Sequence, residues 1–209
     1  MPRPDAPKNW DNNSENNEMS GNYVTDPVGF LIEILFGLLV LAVMLRFLLQ
    51  LVQANPYNQI AQTLVRITQP VLAPVRRLLP SGRRVDTASI VLMVVLQFVS
   101  LALLMLIAGR GLNPAFLLVL SVAELINLLL NVFLFAIIIR VILSWVNPGA
   151  QHPGIELIDN ITEPVMAPAR RLIPAMGGLD LSPIAVIIGI QLCKMLLLPP
   201  LRQLAFAVG

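Results

Sequence analysis

Four long apolar runs alternate with polar segments along this chain. Residues 28–54 form the first run, broken by Glu33 and Arg46, and residues 88–108 form the second. The third extends over 115–146, interrupted by Glu124 and Arg140. The fourth covers 184–207, with Lys194 inside it and Pro199-Pro200 near its end. A bilayer core of ~30 Å is crossed by about 20 helical residues, so the pattern predicts four membrane-spanning helices. The third run is too long for one upright helix. It reads as an interfacial lead-in over 115–122 followed by a span over 123–145.

The segments between the spans of each half are not plain loops. Ile60, Leu64 and Ile67 fall at i, i+4, i+7, and Ile158, Ile161 and Val165 at i, i+3, i+7. That period is an amphipathic helix, of a kind that lies in the membrane interface rather than crossing it. Three prolines follow in each case, Pro70, Pro74 and Pro80, then Pro164, Pro168 and Pro174. Proline lacks an amide donor and suits the first turn of a helix. Pro70 and Pro164 are therefore expected to open a new short helix, and Pro80 and Pro174 to close it.

These segments are copies of one another. Residues 67–80 read ITQPVLAPVRRLLP and residues 161–174 read ITEPVMAPARRLIP, ten of fourteen positions being identical at an offset of 94. The same offset pairs Arg46 with Arg140, Asp86 with Asp180 and Gln97 with Gln191. An internal duplication of this kind sets the architecture. The expected organisation is a disordered acidic tail over 1–27, a first repeat over 28–110 and a second over 111–209. Met19 is an alternative start. The fold class is all-α integral membrane: four transmembrane helices as two parallel helical-hairpin repeats, each with an amphipathic, proline-bounded interfacial helix.

Composition narrows the chemistry. Of 209 residues, 56% are hydrophobic and 12% are charged, against about 25% charged in a soluble domain. One cysteine, Cys193, and one histidine, His152, exclude an internal disulfide, a Cys/His metal cluster and a haem held by two histidines of this chain. No nucleophile–base set or phosphate loop is present. The chain thus reads as non-enzymatic, with no cofactor or metal, and a net charge of +2 gives no reason to invoke nucleic acid.

Arginine bias sets the expected orientation. Residues 55–87 hold Arg66, Arg76, Arg77, Arg83 and Arg84, and residues 147–183 hold Arg170 and Arg171. Only Arg110 lies between spans two and three, and the N-terminal tail is acidic. Both motif segments are expected on the cytoplasmic side and both termini on the outer side. Two crossings per repeat give the repeats one orientation.

Three groups of side chains are candidates for function. Arg76, Arg77, Arg170 and Arg171 either anchor the element by snorkelling or grip lipid headgroups or a partner, at ~1 kcal/mol per charge. Arg46 and Arg140 lie inside apolar runs, where charge is costly and faces protein or the interface. Pairing them with Asp86 and Asp180 would fix each hairpin. Gln97 on span two, Glu124, Asn127 and Asn131 on span three, and Gln191 and Lys194 on span four are intramembrane polar groups. They serve either as interhelical hydrogen-bonding glue or as a polar path in which Lys194 faces Glu124 or Glu33. Asp180 and Ser182 read as a helix cap.

Arg140, Ser144-Trp145, Asn147-Pro148, the TEPVMAPARRLIP string and the GGLDLSP run over 177–183 resemble the YggT family of bacterial inner-membrane proteins, with its YlmG-type and plastid relatives. The match covers about residues 28–205. The first repeat is a looser copy, with Asp86-Thr87-Ala88-Ser89 where the second has Asp180-Leu181-Ser182-Pro183. The resemblance implies a non-enzymatic inner-membrane protein linked to osmotic and envelope stress tolerance and ion homeostasis. The alternative it implies is a membrane assembly or scaffold factor, for cytochrome maturation or cell division, acting through the cytoplasmic motif face. The partners expected are membrane lipids, a second copy of the chain and a membrane-protein partner.

Overall fold

The computed structural model describes residues 12–78, 85–146, 149, 152–172 and 180–208, with side chains from Pro27 onward. Among these residues there are six α-helices and no strands: α1 Asn12–Leu51, α2 Gln59–Leu78, α3 Thr87–Ile107, α4 Pro114–Val146, α5 Pro153–Leu172 and α6 Ser182–Val208. Four stretches are long and apolar enough to cross a membrane, Pro27–Leu51, Thr87–Ile107, Pro114–Val146 and Ser182–Val208. The chain is a multi-pass membrane protein built as span, amphipathic helix, span, twice over.

The helix limits depart from expectation in three places. First, α1 starts at Asn12, so the backbone of residues 12–26 is helical where a disordered tail was expected. A helix already nucleated by the span adds one hydrogen bond per residue as it lengthens. Second, α4 is one continuous helix of 33 residues, about 50 Å at 1.5 Å per residue, so the lead-in and the span are a single rod. Asn113 starts it: its Oδ1 accepts from the amides of Ala115 at 2.9 Å and Phe116 at 3.3 Å, ahead of Pro114 in the first position.

Third, Pro70 and Pro164 do not open new helices. Pro70 and Pro74 lie inside α2, and Pro164 and Pro168 inside α5. At i, i+4 each pair occupies one helix face, and all four are exposed. The hydrogen bonds that proline removes are therefore on the outer side, where a helix bends at least cost. Pro80, Pro174, Arg83-Arg84, Asn147-Pro148 and Gly177-Gly178 lie outside the described residues.

The spans pack in the order α1, α3, α4, α6. The α1/α3 and α4/α6 hairpins are the most extensive interfaces, and α3 against α4 joins them. Among the described residues α1 and α6 do not meet, so the four spans form an open array. One core collects Val40, Val43, Leu48, Leu72, Leu92 and Leu157, from helices of both repeats. A smaller one holds Ile137, Met166, Val186 and Ile190 between α4, α5 and α6.

In α2 the buried face carries Ala61, Thr68 and Leu72, while Ile60 and Ile67 of the expected stripe are exposed. In α5 the buried face is Leu157, Ile161, Thr162 and Met166. Asn58 links the two amphipathic helices. Its Oδ1 caps α2 through the amide of Ile60 at 3.0 Å, and its Nδ2 donates to the Pro153 carbonyl at 2.8 Å and Glu156 Oε2 at 3.0 Å. Hence α2 and α5 lie together at one end of the span array.

Candidate functional site: two unequal arginine clusters

The amphipathic helices are docked by arginines that come from the spans. In the first repeat Arg46, near the end of the α1 span, donates to Thr68 Oγ1 at 2.8 Å, Gln69 Oε1 at 3.0 Å and the Val65 carbonyl at 3.3 Å. In the second repeat Arg140 donates to Thr162 Oγ1 at 2.9 Å and also meets Asp159 at 2.8 Å and Glu163 at 3.3 Å. Both threonines are fully buried and accept this bond while donating to a carbonyl one turn earlier, Leu64 and Ile158, each at 2.8 Å. The threonine hydroxyl is small enough to stay within the helix groove and still present a lone pair to the guanidinium.

The pairing of Arg46 with Asp86 and of Arg140 with Asp180, expected from the sequence, is not made. Asp86 instead pairs with Arg76 and accepts from Ser89 Oγ at 2.8 Å. Asp180 pairs with Arg170 at 3.3 Å. The cause is reach. The carboxylate that begins each return span lies ten residues after the motif arginine. The span arginine is consumed by the helix lying directly over it. Arg76 and Arg170, expected to face headgroups or a partner, are thus each paired with a carboxylate of the same chain, whereas Arg77 and Arg171 are exposed.

Asp86 is fully buried. Burial pushes its carboxyl pKa up, but hydrogen bonds from Arg76 and Ser89 and the Arg76 charge outweigh that and leave it below the ordinary carboxylate value. Asp180 follows the same balance, with desolvation opposed by hydrogen bonds from Ser182 and Arg170 and the net direction again downward. The Ser182 amide donates to Asp180 Oδ1 at 2.9 Å, the cap expected from the sequence.

The clusters differ in charge. In the second repeat Glu163 bridges Arg140 and Arg170, so that Asp159, Arg140, Glu163, Arg170 and Asp180 form one continuous ladder. In the first repeat Val65 and Gln69 stand where Asp159 and Glu163 would be. The ladder is broken there, and Arg46 has only neutral acceptors among the described residues. Beside it opens a cavity of about 780 Å³ between the end of α1 and α2, which no carboxylate of the described residues lines.

The intramembrane polar groups are only partly brought together. Lys194 donates to Asn131 Oδ1 at 2.6 Å across the α4/α6 interface. Of the two carboxylates of the expected polar path, Glu124 does not face Lys194, and α1, which carries Glu33, does not meet α6 among the described residues. Glu124 pairs with Arg202 at 3.0 Å and accepts weakly from Asn127 at 3.4 Å. Arg202 sits two turns past Lys194, beyond the proline pair, and this places it level with Glu124. Gln97 is half-buried on α3 and Gln191 is exposed on α6, so these two do not join the cluster. Sequence reasoning missed Thr68, Thr162, Asp159, Glu163 and Arg202. Comparing the repeats at the offset of 94 would have found the first four as the acid-for-neutral exchanges around an unchanged threonine.

Comparison with known proteins agrees with this duplicated plan. The family model described as CCB3/YggT matches twice, over residues 25–107 and 119–201. An uncharacterized protein of Pseudomonas aeruginosa is 43% identical over 171 residues, covering 81% of this chain and 87% of its own length. An uncharacterized protein of Vibrio alginolyticus is 40% identical over 173 residues, 81% and 92% of the two chains. The YggT protein of Escherichia coli K12 is 30% identical over 169 residues, 79% and 86% of the two chains. No solved structure matches. With both repeats matched across the spans and the arginine clusters, the chain belongs to the CCB3/YggT family.

Proposed function

We propose that this protein is a non-enzymatic component of the bacterial inner membrane that supports ion homeostasis under osmotic and envelope stress, with the α2/α5 end cytoplasmic. The observation that carries the reading is Lys194. It lies near the middle of α6 and donates to the neutral Asn131 at 2.6 Å, with no carboxylate partner among the described residues. An ionisable group at membrane depth is costly and is kept where ions or protons are handled. Because the spans form an open array, the polar face of α4 and α6 needs a second copy or a transporter to enclose it. The test is ion flux in liposomes holding the purified protein. Wild type carries a measurable flux, and Lys194→Gln lowers it several-fold with the fold intact. Absence of flux from the wild type, with no effect of this chain on a co-purified transporter, defeats the proposal.

An assembly or scaffold role is supported by a different surface. Leu78 and Leu172, 83% and 82% exposed, end α2 and α5 beside the exposed Arg77 and Arg171. That end presents apolar and basic groups together, as a protein partner would require. On this reading, Arg77→Ala with Arg171→Ala abolishes a cross-linked partner while leaving flux unaffected.

A further inference from the structure

The cavity beside Arg46 is lined by three arginines, Arg46, Arg66 and Arg76, together with Gln50, Gln53 and Gln62, and by no acidic residue among the described ones. Arg76 is balanced by Asp86. Arg46 has no carboxylate in bonding contact among the described residues; Asp86 reaches it only through space, against the like charge of Arg76. Arg46 is 6% exposed, and its three acceptors, Thr68, Gln69 and the Val65 carbonyl, are all neutral. A buried charge held by neutral groups alone is expensive, and natural proteins pair such charges. The second repeat supplies the internal control. α5 carries Glu156, Asp159 and Glu163 against Arg170 and Arg171, a balance of −1, whereas α2 carries Arg66, Arg76 and Arg77 and no carboxylate, a balance of +3. At matched positions Gln62 replaces Glu156, Val65 replaces Asp159, Gln69 replaces Glu163 and Arg66 replaces Asn160. The two copies thus share one frame, but only the first leaves its span arginine facing an open, basic space.

The backbone adds an independent sign. α1 ends in a Schellman turn, with the Ala54 amide bonded to the Leu49 carbonyl at 2.9 Å and the Gln53 amide to Gln50 at 3.1 Å. The residue in the left-handed position is Gln53, at φ 52°. The same turn at the end of α3 uses Gly109, at φ 65°. A side chain in this conformation costs ~1 kcal/mol, and residues so strained cluster at ligand sites. Gln53 lines the cavity; Gly109 lines none of it.

We propose that this cavity binds a phosphate-bearing anion, either the headgroup of an anionic phospholipid or free phosphate. The anion takes the place that Asp159 and Glu163 fill in the second repeat. Planar guanidinium groups match phosphate oxygens in pairs, and the three glutamines add neutral donors.

The test uses the full chain in nanodiscs. Inorganic phosphate is titrated by calorimetry against protein in phosphatidylcholine discs. In parallel, phosphatidylglycerol kept by protein extracted from mixed discs is counted by native mass spectrometry. Two variants accompany the wild type. Arg66→Gln removes an exposed charge from the rim, and Gln69→Glu gives Arg46 the carboxylate that Arg140 already has. Saturable phosphate binding that falls about tenfold or more in both variants identifies free phosphate. Retention of phosphatidylglycerol that is lost in both, without phosphate binding, identifies the headgroup. Asn160→Ala in the second repeat changes neither. If Gln69→Glu leaves binding of both probes at the wild-type level, or if neither probe binds the wild type, the site does not exist.

Discussion

Arg46 donates to the Thr68 hydroxyl at 2.8 Å, and 94 residues later Arg140 donates to Thr162 at 2.9 Å. The bond survives in both copies although the charges around it have changed. It is what fastens each amphipathic helix to its span. Thr68→Val should therefore destabilise the protein by about 1–3 kcal/mol, the cost of leaving a buried donor without its acceptor. Thr162→Val should cost less, because Asp159 and Glu163 still hold Arg140. Thermal unfolding of the two variants in one detergent checks the order. Equal losses would show that the carboxylates contribute nothing.

The buried Asp86–Arg76 pair gives the protein an acid limit. The folded-state pKa of Asp86 lies below its unfolded value. Its stabilisation is therefore fully present above the unfolded pKa and is lost as pH falls through the folded one. Asp180 acts in the same direction. Melting temperature should be flat from pH 7 to about pH 5 and drop below the ordinary carboxylate range. Asp86→Asn should lower stability at pH 7 and flatten the acid limb. A variant that melts with the wild-type pH profile would place the acid limit elsewhere.

Asn58 caps α2 and holds the start of α5. Asn58→Ala removes both functions, and should cost about 1–3 kcal/mol for the cap and the bridging bonds together. Hydrogen exchange should quicken at the first turns of α2 and α5 and not at α3. Exchange confined to α2 would mean that the bridge to Pro153 and Glu156 adds no stability.

Gln53→Gly relieves the left-handed strain at the end of α1 and should stabilise the chain by ~1 kcal/mol. The same change removes a donor from the basic cavity. A gain in melting temperature with weaker anion retention would show strain kept for binding. A loss of stability would show that the Gln53 side chain supports the turn itself.

Much of this architecture is legible in the residues alone. Apolar runs longer than a bilayer is thick announce the spans, and the ITxPVxAPxRRLxP string announces the duplication. The partners of Arg46 and Arg140 are not legible in the same way. Thr68 and Thr162 are small and neutral and lie on the buried faces of their helices among packing residues, so nothing in the pattern marks them as acceptors. Asp86 and Asp180 look like the natural counter-charges. They are taken by nearer arginines, ten residues back, and sequence spacing does not reveal which of two guanidiniums arrives first. The prolines misled for a related reason. Pro70 and Pro74 share an exposed face, so the helix loses bonds on one side only and continues.

The open order of the spans has an evolutionary reading. α3 meets α4, and Asn58 meets Glu156, across the boundary between the copies. Among the described residues these contacts join the two copies at one side only. The short 108–113 connection keeps the two copies at high effective concentration within one molecule. Cut at that connection, the halves should still find each other in one membrane. Freed from identity by their covalent link, they could also diverge, one copy closing its arginine with acids while the other kept its arginine open.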